Sequence, residues 1–139
     1  MFGAKNKRNS KKNNFHFVLI CDENGILDAF KFIKDHLGTR GNIFLSLIYT
    51  LPKNCPNPLF ERELNILEKR YSCHLFTYIL KIEQGELGYL QEFIEAIINS
   101  NTFLRMRFSV FGNELLVKYV YEVLEYLSVD SNSIELRIS

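Results

Sequence analysis

The residues best placed to do chemistry follow a short apolar run. Phe15 to Cys21 (FHFVLIC) has the length and continuous apolarity of a buried strand, and Asp22-Glu23-Asn24-Gly25 comes directly after it. A strand running through a glycine-bearing turn into a helix is where proteins cradle phosphate, because backbone N–H groups at a helix N-terminus can approach the anion. This turn offers one glycine, Gly25, and two carboxylates stand where a diphosphate would sit. At ~5 Å and an effective dielectric of about 20, each like-charge pair costs roughly 3 kcal/mol before screening. A second turn of the same kind is Val110-Phe111-Gly112-Asn113-Glu114.

Other chemistries find little support. Cys21, Cys55 and Cys73 form no C-x-x-C, and His16, His36 and His74 form no H-x-x-x-H, so neither zinc nor a disulfide framework is indicated. Cys73 and His74 stand at the start of a strand-like run, where adjacent side chains point to opposite faces, which suits packing better than shared ligation. There is no G-x-S-x-G elbow and no G-x-x-x-x-G-K-[ST] loop, and Ser46 and Ser109 lie inside strand-like runs. Most of the twelve Phe and seven Tyr fall on strands or inward helix positions, which makes them core residues.

The elements that must position the two turns are legible from periodicity. Asn24 is expected to cap a helix with apolar residues at 26, 30, 33 and 37, ending at Gly38. Ile43 to Tyr49 reads as a second strand, followed by a turn-rich stretch, Leu51 to Pro58. Asn57 and Pro58 signal a helix start, a capping side chain followed by proline, with Phe60, Leu64, Leu67 and Tyr71 on one face. Cys73 to Ile82 is a third strand, and Glu86 to Ile98 a helix with Leu90, Phe93, Ile94 and Ile97 inward. Met106 to Phe111 is a fourth strand. Asn113 caps a helix burying Leu116, Val120, Val123 and Leu127, and Ile134 to Ile138 is a last strand. Strand–helix alternation implies right-handed crossovers and a parallel sheet, and continuous apolar strands imply helices on both faces. The expectation is a three-layer α/β/α sandwich with five parallel strands. Ligands in such sheets bind beyond the carboxyl ends of the strands, so the loops of interest are 22–25, 50–57, 83–86 and 111–114.

The chain has 139 residues and 16.3 kDa, a single domain by length. Its apolar share of 47% and charged share of 24% are those of a globular protein. The net charge of +1 conceals a split. Lys5, Lys7, Arg8, Lys11 and Lys12 crowd residues 1–14 with no acid, leaving twelve bases against sixteen acids, net −4, in residues 15–139. The tail has almost nothing to bury and is expected to be disordered, with an acidic surface as its natural contact. No apolar run approaches the ~20 residues of a membrane helix, and neither a secretory h-region nor an N-x-[ST] sequon occurs. An intracellular, cytoplasmic protein is expected.

Over residues 15–139 the order of landmarks resembles the nucleotide-binding half of the ferredoxin–NADP(H) reductase family, to which cytochrome b5 reductase and flavodoxin reductase belong. Leu19 to Ile26 stands where the family has a strand running into a G-G-T-G-I turn. Leu47-Ile48-Tyr49 and then Leu59-Phe60-Glu61-Arg62-Glu63-Leu64 resemble its second strand and "D-x-L-x-x-x-E-L" helix. Val110-Phe111-Gly112-Asn113-Glu114 resembles its V-C-G-P turn, and Ser131 to Ile138, with Glu135, its terminal "I-x-x-E-x-F" strand. The resemblance implies the strand order 3-2-1-4-5 and a nicotinamide dinucleotide, NAD(P)H, held between the first and fourth strand ends. Asn24, Gly25, Phe111, Gly112 and Asn113 would line that site, with Lys53 near the ribose.

This sequence departs from the family at the same positions. The glycine-threonine turn is Asp22-Glu23-Asn24, the cysteine of the fourth loop is Phe111, a bulky residue where the nicotinamide would lie, and Lys53 is the only base near the missing arginine. The flavin-binding half is not represented. Its R-x-Y-[ST] motif has only Arg70-Tyr71-Ser72 as a distant counterpart, and Ile138-Ser139 supplies no aromatic to cover a flavin. A receiver domain of two-component systems would also place acids after the first strand. It further requires an aspartate at the end of the third, where Tyr78 to Glu83 has none, and a lysine at the fifth. The resulting expectation is a degenerate reductase-like domain, without cofactor or catalytic residues, serving as an interaction module or small subunit of a larger assembly. The alternative is a working NAD(P)H-binding subunit of a flavin-dependent reductase, paired with a separate flavin domain.

Overall fold

A computed structural model describes residues 15–38, 43–83, 87–101 and 105–139. The basic tail, residues 1–14, and the expected helix start at Glu86 lie outside the described residues. Five strands, β1 (Phe15–Cys21), β2 (Ile43–Leu51), β3 (Leu75–Lys81), β4 (Arg105–Gly112) and β5 (Ile134–Ile138), form one sheet in the order 3-2-1-4-5. All neighbouring pairs run parallel. The connecting helices are α1 (Ile26–His36), α2 (Glu61–Arg70), α3 (Gly88–Ser100) and α4 (Glu114–Tyr126), and a 3₁₀ turn, Ser131–Ser133, precedes β5. The expected architecture and strand order are both observed.

Alternation along the strands divides the interior in two. Leu19 and Cys21 face α1 and α2, where they meet Ile26, Ile33, Leu64, Tyr49 and Phe111. Val18 and Ile20 face α3 and α4, against Leu90, Ile94, Val120 and Leu124. Val18 to Cys21 are wholly inaccessible, because β1 is paired on both edges and covered on both faces. Each such side chain contributes about 1.5–3 kcal/mol by leaving water. The helix faces read from the sequence are the buried ones, with Phe93 and Leu127 at the margins.

Several boundaries shift by one or two residues, as where β2 runs on to Leu51 and β4 spans Arg105–Gly112, and three differ for a local reason. The helix after β1 is not capped by Asn24. Its N-cap is Gly25, which has no side chain to offer, and the Asp22 carboxylate takes the turn's N–H groups instead. The second helix starts at Glu61 rather than at Pro58. Its N-cap, Phe60, is left-handed (φ 66°), and its ring stacks on Phe30 of α1 at 4.5 Å and 11°. Aromatic stacking and burial of Pro58 override the local Asn-Pro signal. The third strand begins at Leu75, because Cys73 is also left-handed (φ 72°) and ends the turn from α2. His74 does not act with Cys73; its Nδ1 lies 3.2 Å from the Ile43 carbonyl and its ring stacks on Phe44. Two terminations follow the sequence closely. Gly38 is left-handed (φ 88°) just past α1, the usual place for glycine. Asn113 caps α4, accepting from the Leu116 N–H at 2.8 Å.

At the amino ends of the strands, His16 places Nε2 2.7 Å from Ser46 Oγ and Nδ1 3.1 Å from Asn101 Oδ1. An amide oxygen only accepts, so Nδ1 carries the proton and Nε2 accepts from the serine hydroxyl. Burial pushes the imidazole below its usual 6.5, against the opposing Asn101 bond. The unfolded chain therefore takes up this proton at higher pH than the folded one, and stability falls as pH drops below the unfolded value. The melting temperature is expected to decline as pH falls below about 6.5. His16→Gln should flatten that decline, read from thermal melts across the window; an unchanged slope would dismiss the assignment.

Candidate functional site

β1 is followed by α1 on one side of the sheet, and β4 by α4 on the other. The chain thus diverges between the carboxyl ends of β1 and β4, the switch point where doubly wound sheets open a crevice. Here a cleft of ≈ 760 Å³ opens. Leu51, Ile82, Leu87 and Leu116 give it apolar walls, and Asp22, Glu23, Glu83 and Glu122 line it against one base, Lys118.

The floor of the switch point is built on the Asp22 side chain. Its Oδ1 accepts from the N–H of Asn24 at 2.9 Å and of Gly25 at 3.0 Å, and its Oδ2 accepts from the N–H of Asn113 at 3.0 Å. Gly25 and Asn113 are the N-caps of α1 and α4. One carboxylate therefore bridges the positive ends of the two helices that flank the switch point, which is the environment in which an anion is stabilised. Both nearby glycines are explained by this packing. A Cβ on Gly25 would overlap the Phe111 carbonyl and stand 2.7 Å from the Gly112 nitrogen, and one on Gly112 would stand 2.8 Å from the Asp22 carboxylate.

The residues singled out from the sequence are brought to the same end of the sheet, in different roles. Asn24 and Asn113 line the cleft. Gly25 and Gly112 are buried beneath it. The Phe111 ring does not stand in the cleft: it is 1% exposed and belongs to the core under α1, because odd-numbered β4 positions at this end face that helix. Lys53 stands 3.3 Å from Glu83 in an exposed ion pair. The two acids of the first turn also part company, since Asp22 turns inward while Glu23 is exposed.

Several lining residues escaped the sequence reading. Leu115, Lys118, Tyr119 and Glu122 line the cleft from α4, and their spacing of three and four is that of one helix face, a signal present in the sequence. Tyr119 donates its hydroxyl to the Leu87 carbonyl at 2.8 Å, tying α4 to the entry of α3, and burial raises its phenol. At the base, Thr50 Oγ1 donates to the Cys21 carbonyl at 3.1 Å. Burial, then the neighbouring Asp22, pushes the Cys21 thiol well up, so it stays protonated and is no nucleophile. Among the described residues no three His, Cys, Asp or Glu side chains cluster for a metal, and no helix is long and apolar enough to cross a membrane.

An open, five-stranded parallel sheet with helices on both faces and a cleft at its switch point defines a doubly wound α/β architecture. Within it, the fold matches that of the ferredoxin reductase NAD-binding domain. No protein-family model and no curated protein matches the sequence. Among solved structures, ferredoxin-NADP+ reductase from Plasmodium falciparum superimposes with a TM-score of 0.73 at 14% identity, over 95% of this chain and 55% of that one. The same reductase with 2'P-AMP gives 0.69 at 11% identity, covering 94% and 54%. The CS-b5R domains of human Ncb5or in the NAD+ form give 0.63 at 10%, covering 91% and 38%. The chain spans about half the length of the reductases it matches.

Two substitutions test the floor. Asp22→Asn is isosteric but turns one of the two acceptor atoms into a donor, facing an N–H; it should destabilise the fold by about 1–2 kcal/mol. Gly25→Ala forces the α1 terminus away from β4 and should cost about 3 kcal/mol. Urea midpoints at constant m would report both, and a neutral Gly25→Ala would contradict the close approach.

Proposed function

We propose that this chain is a reductase-like nucleotide-binding fold that supplies its own anion and works without coenzyme, as an interaction module or small subunit of a larger assembly. The observation that carries this reading is the Asp22 carboxylate, which takes the N–H groups of both helix N-caps at the switch point. A dinucleotide's diphosphate needs such donors, and would have to displace a covalently attached carboxylate that is always present at high local concentration. The cleft charge points the same way. Among the described lining residues Asp22, Glu23 and Glu122 face one lysine, Lys118, besides Glu83, which pairs with Lys53; that excess of acid disfavours a molecule carrying two or more negative charges. The role in a larger assembly is supported by the structural neighbours, in which the matched span is about half of a larger protein; here it would meet a partner. The basic residues Lys5, Lys7, Arg8, Lys11 and Lys12 would serve as a contact for an acidic surface of that partner.

A second reading, an NAD(P)H-binding subunit of a flavin-dependent reductase, is favoured by the size and place of the cleft and by likeness to a protein solved in its NAD+ form. Asn24, Gly25, Gly112 and Asn113 would then border the dinucleotide, and Asp22 would have to swing out of its cradle.

Nucleotide linkage separates the two. A ligand that binds only the folded state stabilises it by mass action, by about 2.7 kcal/mol at a hundredfold excess over Kd, and so raises the melting temperature. With NADH or NADPH at about 1 mM the native chain should show no shift, while Asp22→Gly with Glu23→Thr, which empties the cradle, should gain one. A shift for the native chain with either nucleotide would establish the second reading instead.

A further inference from the structure

The outer edge of β5 carries a self-complementary pattern, and the geometry points to a second copy of this chain paired antiparallel along it. β5 joins the sheet through β4 alone. The Ser139 N–H donates to the Gly112 carbonyl at 2.7 Å, so odd-numbered residues at this end direct their backbone groups toward β4. N–H and C=O groups alternate sides along a strand. Those of Ile134, Leu136 and Ile138 therefore point away from the sheet, toward the free edge.

An antiparallel copy centred on Leu136 pairs Leu136 with Leu136 of the second copy, Ile134 with its Ile138, and Glu135 with its Arg137. The three even-numbered positions become hydrogen-bonded pairs, each exchanging two backbone bonds. Glu135 and Arg137 fall at the non-hydrogen-bonded pairs, where facing side chains come closest and opposite charges attract. The sequence Ile134-Glu135-Leu136-Arg137-Ile138 reads the same from either end in apolarity and reverses in charge, which is the requirement of a two-fold axis.

The faces also agree. Ile134 packs toward α3 and α4, and Leu136 and Ile138 share its face by alternation. They are 41% and 66% exposed, and the second copy would bring its own Leu136 and Ile134 beside them. On the other face, Glu135 and Arg137 of one chain already bond at 2.8 Å, so pairing extends two ion pairs into a four-charge cluster. Edges that avoid partners carry proline, a bulge or an unmatched charge. β5 has no proline, and its register with β4 runs unbroken from Ile134 to Ile138. The other edge differs: β3 carries a single charge, Lys81, which no acid of β3 could answer.

This pairing does not depend on what the cleft holds. One five-residue strand buries less than a standard interface, so dimerisation is expected on the order of 100 μM. Sedimentation velocity over a range of concentrations spanning that value tests it. Glu135→Arg and Arg137→Glu each set like charges opposite one another and should each weaken the dimer about tenfold. Mixed together, the two variants restore opposite charges at every facing position and should associate as the native chain does. Leu136→Pro removes an N–H that the β4 ladder does not use, so it should leave the monomer folded by circular dichroism and abolish association. A native chain that stays monomeric throughout, variants that dimerise undiminished, or a mixture no tighter than its components would each overturn the proposal.

Discussion

The structure turns on one half-exposed electrostatic contact, the Asp22 carboxylate held by the N–H groups of Asn24, Gly25 and Asn113. Two helices begin at the same end of the sheet, on opposite faces, and each leaves its first N–H groups without an intrahelical partner. In this fold one such N–H from each helix, on Gly25 and Asn113, points at the same place, and donors brought together call for an acceptor. The sequence answers it from within. Gly25 and Gly112 are what let the backbone come near enough for that answer to work, so the acid and the two glycines form one device rather than three features.

A fixed internal anion changes what the cleft beside it can do. A ligand's phosphate gains from helix termini because their donors otherwise see only water. In this chain a carboxylate already accepts from three of those N–H groups, and like charges brought beside it repel. What is left to the cleft is apolar wall and acidic rim, with Leu51, Ile82 and Leu116 behind Glu23, Glu83 and Glu122.

The fold was largely legible because it rests on strong, local signals. Continuous apolar runs at 15–21 and 43–49, and helical spacing after each, are the consequence of a sheet covered on both faces, and β1 starts and ends where the pattern says. The misplaced boundaries, Phe60 and Cys73, are both left-handed residues other than glycine. Nothing in local propensity announces those, since the gain that holds Phe60 there lies in Phe30, thirty residues earlier. The site was legible in composition and not in geometry. The acids of the first turn were visible as an obstacle to phosphate. That one of them would reach across to Asn113, ninety-one residues away, depends on β1 and β4 being neighbours, which only the folded topology supplies. Phe111 misled for a related reason: its position in the turn was right, but strand alternation sends its ring inward.

The two halves of the molecule are fastened unequally around the cleft. On the α1 and α2 side, glycine lies against backbone at Gly25 and Phe30 stacks on Phe60, contacts with no slack. On the α3 and α4 side, the helices share an apolar core, and the Tyr119 hydroxyl bonds the Leu87 carbonyl at the cleft. The two walls are thus held by different means, backbone against backbone and ring on ring on one side, an apolar core and a phenol bond on the other.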